Sequence, residues 1–493
     1  MDMEKGESSD FKENVTTDNG NIPADEALAQ FSEAEKLKAF RKLDWNLIPL
    51  LGVLYMLSYI DRGNVGNAYT AGMGKEWGIT SNQYSWIITA YYLAYIAFHW
   101  FILLWKLVSL PVRTSLPPMG CSYAFGWGVA SILQAATVNL AGIIVLRCLI
   151  GAFEAGFAPG VALFLSFFYH RSEMGFRYGL FISFSPIANC FASALAYGIV
   201  HAKTSLAQWQ LLFIIEGIPT IIIAPLAFFF LPKGPGECRF LTQRENEIVH
   251  FRALSARGHE EKGKLNMKQV FAAFYDYKNY FQAVIIFCLN AAFAALPAFL
   301  TTIIEDIGYS SIRAQGLSAP PYLASYFICL ACSFLSDKVR NRSYLLSALS
   351  IIGGIGYLVQ ALVKASAVRY FAVYLICGGV FPAVALTFTW VTDNQGSASK
   401  RGAGLVIFGM VGQTGSMAGS RFFPKEEGPF YTKGMAISAG LLFFAAIVAQ
   451  VLRALMSREN KRRDRIHGPV YSNDMSNDVI NAGDEHPSYR FML

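Results

Sequence analysis

Polar and apolar positions along this chain fall in long blocks and do not alternate singly. Twelve apolar stretches lie near residues 45–67, 84–104, 117–137, 140–167, 177–200, 209–231, 279–301, 317–335, 344–364, 368–390, 402–420 and 434–456. Most are about 20 residues long, the length an α-helix needs to cross a bilayer core. The pattern predicts an all-α membrane protein with twelve transmembrane helices. Residues 1–40 are rich in Glu, Asp, Asn and Lys and predict a disordered tail with room for a short amphipathic helix at its end. The longest internal gap, 232–278, carries nine Lys or Arg and divides the stretches six and six. The expected organisation is a six-helix bundle over 41–231, a linker over 232–278, a second bundle over 279–456 and a polar tail over 457–493.

Composition sharpens this. Only 15% of the 493 residues are charged, against about 25% in soluble domains. The net charge of +7 is then a matter of membrane topology and no sign of nucleic-acid binding. With residues at segment edges counted among the loops and the tails left out, loops 2–3, 4–5, 6–7, 8–9 and 10–11 hold 18 Lys or Arg and the opposite loops eight. The positive-inside rule places both tails and the linker in the cytoplasm. The eight cysteines show no disulfide or zinc spacing. The polar start predicts no cleavable signal peptide. No nucleophile–base or metal-ligand set appears, which argues against an enzyme, and no cofactor is expected.

The same tally leaves two basic residues well inside the apolar stretches, Arg62 and Arg147. Ionised groups at that depth are costly and are functional candidates by default. Arg147 and Glu154 are seven residues apart, two helical turns, so both project from one face about 10 Å apart. They read as a proton or substrate element, or as a static ion pair that fixes packing. Asp61-Arg62 comes late in segment one. Either the helix stops at Tyr59 and both charges meet water, or it continues through Gly63 and Gly66. In the second case Arg62 can hold an anion through its two-pronged guanidinium, and Asp61 can take up a proton.

Other features are less specific. Ser336-Asp337-Lys338-Val-Arg340-Asn-Arg342 fills loop 8–9; Asp337, Lys338 and Arg340 form a candidate gating clamp, or a basic loop that only sets topology. Loop 2–3 offers Lys106 and Arg113 without an acid. Gly156-Phe-Ala-Pro159 and Gly379-Val-Phe-Pro382 suggest matched bent helices in two related halves, with a site between them. Tyr91, Tyr92, Tyr95, Asn189, Gln413 and Thr414 are polar groups in apolar surroundings, most of them expected to bond between helices. His99 reads as a residue of the membrane–water boundary.

Together these features resemble the major facilitator superfamily, and within it the anion:cation symporters of the fungal allantoate- and nicotinate-permease group. The resemblance spans about residues 41–456. It rests on Leu43-Asp-Trp-Asn-Leu-Ile-Pro-Leu-Leu51 leading into Tyr59-Ile-Asp61-Arg62-Gly-Asn-Val-Gly-Asn67, on Arg147 with Gly151-Ala-Phe-Glu154-Ala-Gly-Phe-Ala-Pro159-Gly160, on Phe213-Ile-Ile-Glu216-Gly217, and on Gly412-Gln413-Thr-Gly415 with Gly419-Ser-Arg421-Phe-Phe-Pro424. It implies two pseudo-symmetric six-helix halves that rock about a central site. It implies proton-coupling roles for Asp61 and Glu154, and for Arg147 as the residue that pairs with these carboxyls. It implies substrate binding by Arg62, with Tyr59 in the cavity and, by looser alignment, Tyr92 and Gln413. Family members usually carry an acidic residue and a proline near the end of segment two; here Phe98-His99-Trp100-Phe101 stands there.

The expected function is import of a small organic anion, such as nicotinate, pantothenate or an allantoate-like carboxylate, driven by the proton gradient. A drug or metabolite exporter of the same superfamily and a non-transporting nutrient sensor are the alternatives. The expected partners are substrate, protons and the lipid bilayer, with no nucleic acid. The chain is expected to act as a monomer in the plasma membrane, or in the vacuolar membrane.

Overall fold

A computed structural model describes residues 24–108, 116–165, 167–169, 171–200, 205–257, 267–306, 308–396, 398–468, 484, 486–487 and 489–493. All twelve apolar stretches coincide with helix. In the first half these are Glu33–Ala68, Ser81–Val108, Leu116–Leu133, Leu140–Glu154 continued by Phe157–Leu165, Arg171–Ile182 continued by Phe184–Val200, and Gln208–Phe230. In the second half they are Tyr277–Asp306, Ser311–Val339, Arg342–Leu362, Ser366–Asp393, Ala398–Gly419 and Thr432–His467. Among the described residues, eight helices are long and apolar enough to cross a membrane by length and composition alone. Lipid supplies no hydrogen bonds, and a helix satisfies its backbone internally, so this is the architecture that such blocks allow. Large apolar side chains such as Ile222, Phe229, Ile355 and Phe371 point outward, while Asp61, Asn64, Arg147 and Glu154 are buried.

Segment one begins earlier than its apolar block. Ser32 caps it: its hydroxyl accepts the Glu35 N–H, and the Glu35 carboxylate accepts the Ser32 N–H. Residues 33–40, expected in the disordered tail, are thus the first turns of this helix. The remainder of the tail up to residue 23 lies outside the described residues. The helix then runs unbroken through Asp61, Arg62, Gly63 and Gly66 to Ala68. That resolves the choice at Tyr59 in favour of burial.

The linker is partly helical, over Gln243–Arg257 and Met267–Tyr275. Its first helix is pinned to the first half by Lys42–Glu245 (2.9 Å), Arg244–Glu35 (2.9 Å) and Arg252–Glu173. These contacts gather at the end of the bundle that also carries the start of segment one and the last residues of the chain. That end is the terminal face below.

The two Gly-x-x-Pro motifs do not interrupt their helices alike. Segment four breaks directly after Glu154, whereas segment ten is one continuous helix through Pro382. The glycine of the second motif has a different use: a Cβ on Gly379 would lie 2.5 Å from the Gly353 backbone N, so it permits close packing of segments nine and ten. Segments seven and eleven approach equally closely. A Cβ on Gly419 would meet the Ala291 carbonyl oxygen at 2.0 Å. Because the obstacle is backbone, Gly419→Ala is expected to cost about 1–3 kcal/mol, read as a lower thermal midpoint of the detergent-purified protein. An unchanged midpoint would show that the two helices separate without cost.

The halves meet at both ends. Toward the terminal face, the first part of segment five packs against segments eight and ten. At the opposite end Tyr84 packs edge-on against Phe299 with ring centroids 5.7 Å apart, and the Arg421 guanidinium lies 4.7 Å over Trp86. Between these seals lies a small cavity, lined among others by Arg62, Ile88, Tyr91, Tyr92, Arg147 and Pro297. Its volume of about 20 Å³ has room for a water molecule, so the halves must part before an organic anion can enter.

Candidate functional site

The centre is built from segments one, two, three, four and six. Arg62 on segment one reaches Glu154 at the broken end of segment four, with Nη2 3.1 Å from Oε2. The Tyr91 hydroxyl donates to the same carboxylate oxygen at 2.5 Å. Glu154 is fully enclosed, so this pair sits in low dielectric, where loss of one partner is expensive. The Arg62 guanidinium also lies against three rings, 4.7 Å from the Tyr59 centroid, 5.1 Å from Tyr91 and 5.7 Å from Tyr95. Such an aromatic box holds a planar cation by its faces and leaves its N–H edge to bind an anion.

Asp61 is turned away from Arg62. Ser131 of segment three donates to Oδ1 at 2.5 Å and Thr220 of segment six to Oδ2 at 3.1 Å. One turn before Thr220 on the same helix, Glu216 is 2% exposed and neither carboxylate oxygen has a hydrogen-bond partner. The sequence marked Glu216 only through the resemblance and gave it no role. Its place beside Asp61 is a tertiary fact.

Arg147 does not form the expected pair with a carboxylate. Its Nη1 donates to the backbone carbonyls of Asp61 and Arg62, each at 3.2 Å. Its Nε and Nη2 are buried without a hydrogen-bond partner, as is Nε of Arg62. Both arginines and Tyr92 line the cavity. Tyr92 also faces Ser416 of segment eleven, across the two halves. Tyr59 backs Arg62, and Gln413 is half-buried and is not among the cavity-lining residues. Asn189 and Thr414, expected to bond between helices, instead bond to their own helices, at Ser185 and Val411.

His99 is enclosed among the helices. It is 1% exposed, its ring stacks on Tyr95, and Nδ1 lies 2.7 Å from the Ala155 carbonyl oxygen. Four residues on, Pro159 has no N–H to offer that carbonyl, and the histidine supplies a donor instead. On its other side a Cβ on Gly409 of segment eleven would be 2.5 Å from Nε2. The atypical end of segment two thus supports the break that presents Glu154.

At the terminal face the clamp differs from the expected one. Arg340 takes a left-handed conformation (φ 51°) that ends segment eight. Lys338 and Arg340 are exposed. The buried cation is Arg342, paired with Asp337 at 2.9 Å and with Asp393 of segment ten at 2.7 Å. Asp337 also lies against the first half at Gly175, where a Cβ would be 2.7 Å from its Oδ1. Gly175 makes room for this: a Cβ there would lie 2.1 Å from Arg342 Nη2. The loop 2–3 counterpart, the Lys106 side chain and Arg113, lies outside the described residues. Arg342→Gln leaves Asp393, 1% exposed, without a cation and is expected to cost about 3–5 kcal/mol. A thermal midpoint equal to wild type would refute that assignment.

Twelve helices in two halves, closed at both ends over a cavity with buried charges, define a rocking transporter. A family model, the Major Facilitator Superfamily, matches residues 51–420, and the chain belongs to that superfamily. It is 29% identical over 487 residues to the High-affinity nicotinic acid transporter of Saccharomyces cerevisiae, covering 97% of this chain and 88% of that one. It is 29% identical over 469 residues to the major facilitator-type transporter hxnP of Emericella nidulans, covering 94% of each. Among solved structures, the proton:xylose symporter XylE aligns with a TM-score of 0.60 at 12% identity, over 83% of this chain and 95% of that one. A bacterial homolog of the lysosomal transporter Spinster aligns with a TM-score of 0.57 at 14% identity, over 83% of this chain and 96% of that one. Identities this low speak for the fold alone. The chain is a multi-pass membrane transporter and not an enzyme.

Proposed function

We propose that the chain is a proton-coupled importer of a small organic anion, with Arg62 as the carboxylate-binding group. The observation that carries this reading is the Arg62–Glu154 pair at 3.1 Å beside the cavity. One guanidinium faces two competing anions. While Glu154 is ionised, it occupies the edge that a substrate carboxylate needs. A proton on Glu154 removes its charge, weakens its hold on Arg62 and leaves the cation for substrate. When substrate and proton leave on the other side, the pair re-forms and the empty carrier returns. Coupling follows from this exchange of partners.

Two further features support an anionic substrate. The cavity wall holds buried N–H groups of Arg62 and Arg147 that have no acceptor, and unsatisfied buried donors favour an acceptor ligand. Ile88, Ala294 and Pro297 give the rest of the wall an apolar character, suited to the body of a small carboxylate such as an aromatic acid. The excess of basic residues in the loops of the terminal face supports a cytoplasmic location for that face, and the plasma membrane is the proposed site of action.

The test is uptake of radiolabelled nicotinate, pantothenate and allantoate into cells expressing the chain, with and without a proton uncoupler. Uncoupler-sensitive accumulation of at least one of them is expected, with uptake falling as outer pH rises. Accumulation that ignores the uncoupler would refute proton coupling. Uptake of none of them, together with extrusion of preloaded cationic drugs, would favour an exporter.

A further inference from the structure

The polar tail that follows segment twelve ends in Tyr489-Arg490-Phe491-Met492-Leu493, and these residues are folded back into the second half. Tyr489 and Phe491 are 2% and 5% exposed. Phe491 and Asn460 of the segment-twelve helix exchange two hydrogen bonds, each 2.9 Å. Met492 does the same with Asn394, at 2.8 and 3.1 Å, and its carbonyl also accepts from Trp390 Nε1 at 2.9 Å. Asp484 sits between Lys400, 2.7 Å away, and Lys278, 3.2 Å away. Burial opposes its charge, but the two lysines outweigh burial and hold the carboxyl below the usual carboxylate range.

The tail thus joins the terminal-face ends of segments seven, ten, eleven and twelve. It also grips the gate. The Leu493 carbonyl accepts the backbone N–H of Arg342 at 2.6 Å, and Arg342 Nε lies 3.3 Å from the Met492 sulfur. Arg342 is the residue that positions Asp337 against the first half. Two of its donors are therefore committed to the tail, while Nη1 donates to the Ser336 and Thr389 hydroxyls and Nη2 holds Asp337 and Asp393. Opening the terminal face requires Asp337 and Arg342 to part from Gly175 of the first half, which is easier if Arg342 can move. The anchoring contacts are hydrogen bonds and one ion-pair cluster at the edge of the fold, individually modest in net strength, so the seat is reversible.

We infer that the cleft formed by Lys278, Trp390, Asn394 and Lys400 is a docking site for the chain's own residues 484–493, and that the docked segment is a clasp that holds the terminal face closed. Seated, it slows opening; released, it lets the face open and turnover rise. The inference needs only a carrier that alternates between its two faces and is independent of the substrate and of proton coupling.

Gate opening can be read at Ser333, 3% exposed on segment eight and packed beside Gly179 of the first half. Ser333→Cys is introduced into a chain whose native cysteines are replaced by serine, and labelling by a membrane-impermeant maleimide is followed from the terminal face. Three proteins are compared: the full chain, a chain ended before Asp484, and full-length Asp484→Lys, which sets a third cation against Lys278 and Lys400. Labelling is expected to quicken at least about fivefold in both variants, the lower end of ordinary conformational coupling. A synthetic peptide of residues 484–493 added to the shortened chain is expected to restore the slow rate. Unchanged labelling in Asp484→Lys overturns the proposal, even where the shortened chain fails to fold. So does a shortened chain that folds and labels fast but ignores the peptide, or variants that lose thermal stability without labelling faster.

Discussion

Arg62→Ala is expected to lower carboxylate uptake at least about 100-fold while the protein still reaches the membrane. The residue does two things at once. Its edge is the proposed partner of the substrate carboxylate, and charge-assisted hydrogen bonds of that kind are roughly twice as strong as neutral ones. Its charge also balances Glu154, which is enclosed and also accepts from the Tyr91 hydroxyl. Losing one member of a buried pair costs about 3–5 kcal/mol, and 1.4 kcal/mol is a factor of ten in binding. A loss of about two orders of magnitude therefore needs only part of that energy to appear in substrate binding. Arg62→Lys separates the two roles. It keeps the charge opposite Glu154 but gives up the planar fork that lies among Tyr59, Tyr91 and Tyr95, so thermal stability should match wild type while apparent affinity stays about tenfold weak. The measurements are initial uptake rates at several substrate concentrations, normalised to protein at the cell surface. Wild-type uptake by Arg62→Ala would remove the residue from the binding role.

Much of this centre could be read from the sequence, and the parts that could not have a common cause. Twelve helices and their division follow from the lengths of the apolar blocks; Asp61-Arg62 stood out as charges late in one of them, with burial and exposure both open until the helix was seen to continue. Partners do not follow. Arg147 and Glu154 share a helix face, but two turns of rise, about 10 Å, is too far for a direct bond. Each instead turned to segment one, Arg147 to the carbonyls of residues 61 and 62 and Glu154 to Arg62. Loop 8–9 offered three basic residues with nothing in their order to rank them. The left-handed turn at Arg340 decides it, by ending one helix so that Arg342 starts the next and points inward. His99 became a partner for the Ala155 carbonyl because Pro159, four residues on, brings it no N–H, while segment ten runs unbroken through the matching proline. In the tail, the cluster Tyr489, Phe491, Met492 and Leu493 was an apolar signal within a polar stretch, outweighed by the composition around it.

Glu154→Gln is expected to uncouple the carrier without disabling it. The amide has nearly the shape of the carboxyl group and carries no charge at any pH, so it imitates the protonated state permanently. Arg62 then never loses its edge to Glu154, and the Tyr91 hydroxyl still has an oxygen to donate to. Substrate should bind at neutral outer pH as well as wild type binds it in acid, and exchange of labelled for unlabelled substrate across the membrane should persist. What disappears is the return step, because the empty carrier no longer regains the Arg62–Glu154 pair that stabilises it. Net accumulation against a gradient should fall by at least about tenfold, a loss of about 1.4 kcal/mol of driving force, and what uptake remains should be flat across outer pH. Counterflow in reconstituted vesicles, run with and without an imposed pH gradient, distinguishes these outcomes. Accumulation that still follows the pH gradient in Glu154→Gln would move the coupling proton elsewhere, with Asp61 and the unpartnered Glu216 beside it as the groups to replace next.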